Sequence, residues 1–218
     1  MGRVVTQEPT RVVLIRHGET LWNRSARIQG HTDIPLSPLG LEQARRLAAA
    51  LADEPLTAIY SSDLQRARQT AEALGEVHDL TLKLDPGLRE RSFGCFEGLT
   101  WDEIAQAHPE DAERWRRREP GFAVGGGESL IDFSARCVSA ALRAAGAHAG
   151  GVVAIVAHGG VLDCLYRAAT RVALDAPRSW QLGNASINRL LATPEGFTLV
   201  GWNDDHHLAG LTADDISA

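Results

Sequence analysis

The sequence predicts an α/β protein built in three layers, with a mainly parallel central sheet between two layers of helices. Three observations carry this expectation. Two short runs of branched apolar residues, 11–16 (RVVLIR) and 152–157 (VVAIVA), read as strands buried on both faces. Stretches with apolar residues at helical spacing alternate with the strand-like runs along the chain. The 218 residues are 44% hydrophobic and 23% charged, which fits a soluble globular unit and excludes disordered or fibrous classes.

The elements follow in order. Residues 1–10 are polar and read as a loose N-terminal tail, with neither the basic start nor the apolar stretch of a secretory leader. The strand at 11–16 leads into a polar, glycine-containing loop. Ser37 then offers a capping hydroxyl and Pro38 a preset first helical residue, and Leu41, Ala44, Ala48 and Leu51 share one face of the helix that follows. Residues 57–61 (TAIYS) form a second strand. A helix beginning near Asp63 places Leu64, Ala67, Ala71 and Leu74 on its apolar side, and a third strand spans 81–84. The charged, tryptophan-containing stretch at about 89–127 reads as a helical insertion, with helices at 101–107 and 109–118. After Gly125–Gly127, the spacing of Leu130, Phe133, Cys137, Ala141 and Leu142 predicts a long amphipathic helix. The strand at 152–157 turns at His158-Gly159-Gly160 into a helix over 161–169. Residues 187–192 and 197–202 form a hairpin turned at Pro194-Glu195-Gly196. The expected organisation is one domain over 11–218.

A net charge of −6 argues against a nucleic-acid surface, and apolar runs of about six residues are too short to cross a membrane. Of the 22 basic residues only Lys83 is a lysine. Arginine suits the gripping of planar anions, although genomic base composition produces the same bias. Cys95, Cys137 and Cys164 are odd in number and form no metal-binding spacing, so they read as buried free thiols in a reducing cytoplasm.

Ligands of such sheets lie outside the carboxyl ends of strands. The two best strands end at Arg16-His17-Gly18 and at His158-Gly159-Gly160. In Ser61-Ser62-Asp63-Leu64-Gln65-Arg66 a further strand turns into a helix whose first turn carries an arginine. Free N–H groups at helix starts together with guanidinium forks suit an anion. Two arginines and two histidines therefore converge in an acidic protein, and a phosphate monoester is the guest that chemistry suggests. Glu90, in Leu88-Arg89-Glu90-Arg91, is the candidate carboxylate to protonate a leaving alkoxide.

These motifs resemble those of the histidine phosphatase superfamily, the phosphoglycerate-mutase-like proteins. The matches are RHGET at 16–20, Asn23, SSDLQRARQTA at 61–71, LRERSFGCFEG at 88–98, GGES at 126–129 and AHGG at 157–160, in the family's order. The resemblance implies a phosphoglycerate-mutase-like fold with His17 as the nucleophile that becomes phosphohistidine. Arg16, Arg66 and His158 match the phosphate clamp, with His158 contributing as a protonated ring, and Glu90 matches the general acid and base. Asn23, Gly30 and the Gly159 N–H match substrate-binding positions. Arginines supply the charge that magnesium supplies elsewhere, so neither a metal nor another cofactor is expected. His17 must attack as neutral imidazole, with its second ring nitrogen held by a carbonyl.

Only 29 residues (99–127) separate Gly98 from Glu128, as in the phosphatase branch, whereas mutases carry a longer segment there. Phe93 also stands where mutases usually have tyrosine. Arg116 and Arg117 resemble the mutase pair that binds the substrate's carboxylate and second phosphate. The expectation is therefore a metal-independent phosphomonoester hydrolase acting on a small phosphorylated metabolite, with a bisphosphoglycerate-dependent phosphoglycerate mutase as the alternative. Dimers are common in the family, so a homodimer is compatible with the resemblance.

Other residues are assigned lesser parts. Trp101, Trp115 and Phe122 either cap the pocket or pack the insertion, and packing is expected for at least two of them. Glu19 is expected to support the clamp, His31 to shape the substrate loop, and Glu128 to gate the pocket. Asn184 and Ser186 read as structural, and Asp204-Asp205-His206-His207 as a polar segment rather than a metal site.

Overall fold

The computed structural model describes residues 8–212. The chain runs β1 (Thr10–Arg16), α1 (Leu21–Arg24), α2 (Pro38–Ala50), β2 (Ala58–Ser61), α3 (Gln65–His78), β3 (Leu82–Leu84), α4 (Trp101–Ala107), α5 (Pro109–Arg116), α6 (Leu130–Gly146), β4 (Val152–Ala157), α7 (Gly159–Thr170), β5 (Ile187–Thr193) and β6 (Gly196–Asp204). One six-stranded sheet has the order β3-β2-β4-β1-β5-β6. The first four of these strands are parallel, and β5 and β6 add an antiparallel edge.

Alternation along the central strands creates the three layers. Val12 and Leu14 of β1, with Val153, Ile155 and Ala157 of β4, pack on one side against Phe133 and Cys137 of α6 and Leu162 of α7. Val13 and Ile15, with Val152, Ala154 and Val156, face the other way onto Leu47 of α2 and Ala67 and Leu74 of α3. Both faces of these strands are therefore buried, which is why their sequence is continuously apolar. Phe96, Ile104, Ala112, Phe122 and Val124 form a separate small core within the insertion.

The structure moves several expected boundaries. Thr10 is not tail: it opens β1, and its buried hydroxyl donates to the Ala145 carbonyl at 3.0 Å. Residues 1–7 of the expected tail lie outside the described residues. Helix α3 starts at Gln65, because Leu64 keeps an extended backbone and Asp63 pairs instead with Arg89 at 2.7 Å. Helix α5 ends at Arg116, before the left-handed Arg118. Helix α7 begins two residues early and includes both glycines of the His158 motif. Cys95 is exposed, against expectation, because the tight turn Gly94–Phe96 turns Phe96 inward. Cys137 and Cys164 are buried, and burial pushes the Cys164 thiol up to about 12.

Candidate active site

Parallel register brings the two histidines together. β1 and β4 pair with Arg16 opposite Ala157, so the next residue of each strand, His17 and His158, leaves the sheet at the same level. The His17 N–H donates to the Ala157 carbonyl at 2.9 Å, and the ring centroids are 5.2 Å apart. Both rings are buried. Burial, followed by the charges of Arg66 and Arg16, holds His17 well below its ordinary pKa. His17 Nδ1 lies 2.7 Å from the Gly18 carbonyl and donates to it in the neutral tautomer, which leaves Nε2 with its lone pair.

His158 is also held well below its ordinary value, by burial first and then by Arg66 and His17. Burial and these charges favour the neutral ring, against the expectation of a protonated one. Its Nε2 lies 2.8 Å from the Ser62 hydroxyl. That hydroxyl also accepts from the Leu64 N–H at 3.3 Å, and when it donates its own proton to Nε2 the ring proton of His158 sits on Nδ1. Nδ1 is buried and has no hydrogen-bond partner among the described residues.

Arg66 is fully buried, and it donates to the Thr32 carbonyl at 3.0 Å and the Gly30 carbonyl at 2.8 Å. Arg16 donates to the Leu182 carbonyl. The Nε atoms of both arginines are buried without partners among the described residues. Burial pushes both guanidinium groups down to about 10, so they remain cationic at neutral pH. Leaving buried donors unmade costs about 1–3 kcal/mol each, which a bound oxyanion would recover. Arg16, His17, Asn23, Gly30, Arg66 and Glu90 all line one cavity of about 620 Å³.

Glu90 reaches this cavity from the loop after β3. Its Oε1 accepts from the Arg91 N–H at 2.8 Å and its Oε2 from the Gly160 N–H at 2.9 Å, at the start of α7. A Cβ at Gly160 would meet Glu90 Oε1 at 2.2 Å, so the carboxylate can sit there only beside glycine. Behind it, Arg136 of α6 donates to the Gly87, Arg89 and Glu90 carbonyls and to Glu128. Burial alone would raise Glu128, but the Arg136 and Ser92 hydrogen bonds outweigh it and hold it below the usual carboxylate range.

The remaining expected residues divide. Gly159 lines the cavity beside Arg16. Asn23 also lines it, while its Oδ1 accepts from the Thr20 N–H and completes a capping box on α1. Gly30 has φ +52°, and a Cβ there would collide with the Glu97 side chain. Arg116 lines a second cavity of about 620 Å³ that adjoins the first, and it pairs with Glu113. Arg117 also pairs with Glu113 but lines neither cavity. Phe122 and Trp115 pack in the insertion's core, as expected for two of the three, and Trp101 and Trp115 line the second cavity. Glu19 touches Ser37 and Arg24 rather than the clamp. His31 Nε2 lies 2.8 Å from the Glu90 carbonyl. Glu128 is tied to Arg136 instead of standing free as a gate. Asn184 Nδ2 donates to the His17 carbonyl at 3.0 Å, and the Ser186 hydroxyl accepts from Asn188. His206 pairs with Asp204, and His207 Nε2 lies 3.0 Å from the Ala185 carbonyl.

Sequence reasoning missed Ser62 as the partner of His158, and it missed Arg178, which lines both cavities. Ser62 stood inside a quoted motif but had no assigned role. Arg178 lies in an irregular stretch that no motif reached.

The histidine phosphatase superfamily (branch 1) model matches residues 12–205. A metal-independent phosphoserine phosphatase of Arabidopsis thaliana is 36% identical over 210 residues, covering 95% of this chain and 87% of that protein. The phosphoglycerate mutase-like protein 4 of the same plant is 36% identical over 201 residues, 90% of this chain and 86% of that protein. A mycobacterial glucosyl-3-phosphoglycerate phosphatase solved with VO3 superposes with a TM-score of 0.78 at 34% identity, covering 89% of this chain and 99% of that one.

Proposed function

The chain belongs to the histidine phosphatase superfamily, and from that premise we propose that this phosphoric monoester hydrolase works through a phosphohistidine at His17 on a small phosphorylated metabolite. One observation carries the reading. A neutral His17, its Nδ1 committed to Gly18, stands among three buried nitrogens that lack partners among the described residues, Arg16 Nε, Arg66 Nε and His158 Nδ1.

His17 Nε2 attacks phosphorus while the bond from phosphorus to the leaving oxygen breaks. Arg16, Arg66 and the Nδ1–H of His158 stabilise the charge on the equatorial oxygens. A protonated Glu90 passes its proton to the departing alkoxide. Water then attacks the phosphohistidine, Glu90 takes its proton, and phosphate leaves with His17 restored. The two arginines provide the cationic charge, so the proposal requires no metal. A cytoplasmic location completes the proposal, supported by the free thiols of Cys95, Cys137 and Cys164.

The mutase alternative requires a second substrate hydroxyl, instead of water, to receive the phosphoryl group. The short insertion and the commitment of Arg117 to Glu113 favour water. The test is hydrolysis of p-nitrophenyl phosphate in excess chelator, followed by trapping of acid-labile phosphoenzyme. Turnover is expected in the wild type, and both signals should vanish in His17→Ala. Loss of turnover with chelator would overturn the metal-free mechanism. Conversion of 3- to 2-phosphoglycerate without phosphate release would select the mutase.

A further inference from the structure

We propose that Arg178 selects the leaving group, favouring monoesters whose alcohol half carries a second oxyanion, a carboxylate or another phosphate. This deepens the phosphatase reading and rests on it. The argument begins with position. Arg178 lines both cavities, and so do Glu90, Phe93 and Gly160. The oxygen that Glu90 protonates must therefore leave through this junction, and its carbon frame must pass Arg178 into the second cavity.

The second argument is availability. Every other arginine lining the second cavity is already engaged. Arg91 donates to the Glu128 and Phe122 carbonyls, Arg116 pairs with Glu113, and Arg118 holds Asp163 and the Leu174 carbonyl. Arg178 has no hydrogen bond or ion pair among the described residues. Arg171 shares that property but lines neither cavity. The positive charge of Arg178 also acts on Arg16, and a second anion in the substrate would offset that repulsion. A free guanidinium fork at this point can hold a carboxylate or phosphate with two parallel hydrogen bonds.

The third argument is that the irregular segment carrying Arg178 is anchored. Trp180 stacks on Tyr166 with centroids 4.0 Å apart, and the Arg167 guanidinium lies 4.7 Å from the centroid of the Trp180 ring. The Gly183 N–H donates to Asn203 Oδ1 at 2.8 Å, and Leu182 receives Arg16. Across the cavity, Phe93, Trp115 and Trp101 stand in a row with successive centroids 5.2 and 5.3 Å apart. That apolar wall suits the carbon frame of the leaving group and gives no competing site for an anion.

Matched esters test the assignment. The wild type and Arg178→Met are compared on 3-phosphoglycerate against glycerol 3-phosphate, and on phosphoserine against phosphoethanolamine. Each pair differs at the carboxylate. A bisphosphorylated glycerate tests phosphate as the second anion, and p-nitrophenyl phosphate reports the chemistry itself. The wild type should favour the doubly anionic member in kcat/KM, and Arg178→Met should shrink that ratio by about 10- to 100-fold, the range of a charge-assisted contact. Arg178→Lys should retain part of it. A wild type with no preference, or a ratio that Arg178→Met leaves unchanged, would overturn the proposal. Failure to hydrolyse any ester, p-nitrophenyl phosphate included, would instead sink the phosphatase reading and this assignment with it.

Discussion

At the scale of single residues, the site works by holding two imidazoles neutral beside two guanidinium groups. Burial excludes the water that would solvate imidazolium, and Arg66 and Arg16 repel it. Each ring then has one committed nitrogen and one available nitrogen. For His17 the carbonyl of Gly18 makes that choice, leaving an acceptor that can attack. For His158 the Ser62 hydroxyl lies at Nε2, and a hydroxyl that donates there leaves the ring proton on Nδ1. Ser62→Ala removes the choice without altering the charge of the site. The expected result is a kcat lower by about 10-fold with a smaller change in KM, since the Nδ1–H contact strengthens as charge develops on the phosphoryl oxygens. Equal losses in kcat and binding, or none, would count against this role.

At the scale of elements, one helix start holds the loop that carries Glu90. Helix α7 follows β4 directly, so its N-terminus is fixed by the centre of the sheet, and its Gly160 N–H holds Glu90. Arg136 of α6 holds the same loop from behind through the Gly87, Arg89 and Glu90 carbonyls. Gly160→Ala would push a methyl group into Glu90 Oε1 and against the Phe133 ring at 3.1 Å. Steady-state kinetics should show kcat/KM falling about 100-fold, within the range for misplacing a general acid. Circular dichroism should show the fold retained, because an alanine here suits helix α7. Wild-type kinetics in this variant would mean that Glu90 does not need its observed position.

At the scale of the whole molecule, the buried neutral histidines couple stability to pH. Both have folded pKa values depressed below about 6.5, the value expected in the unfolded chain, so the unfolded state binds more protons as pH falls below that value. Their contribution is complete above about pH 6.5 and is lost as pH falls toward the folded values. Calorimetry should therefore show Tm dropping between pH 7 and pH 5. Inorganic phosphate should raise Tm, by the equivalent of about 2.7 kcal/mol at 100 times its Kd. A Tm that ignores both pH and phosphate would contradict the described site.

Much of this was legible in the chain. β4 and α4 fall where the sequence puts them, over Val152–Ala157 and Trp101–Ala107. The reason is local: a continuous run of branched residues admits few alternatives, and Thr100 with Glu103 forms a complete capping box. Arg16, His17 and His158 were identifiable because each lies at a strand end next to a glycine-containing turn, Arg66 because it opens the helix that follows a strand, and Glu90 only in the company of these motifs. What local spacing leaves open is where a flexible side chain finds its partner. Arg116 and Arg117 are adjacent in sequence, yet helical geometry and Glu113 send only Arg116 to a cavity wall. Glu128 looked free to move, but Arg136, eight residues along, pins it. The chain by itself determined the sheet, the histidines and the clamp, because these follow from hydrophobic periodicity and backbone turns. Only the tertiary structure decided the contact between Ser62 and His158, the burial that disfavours a charged His158 and the freedom of Arg178, because these depend on distances between segments far apart in sequence.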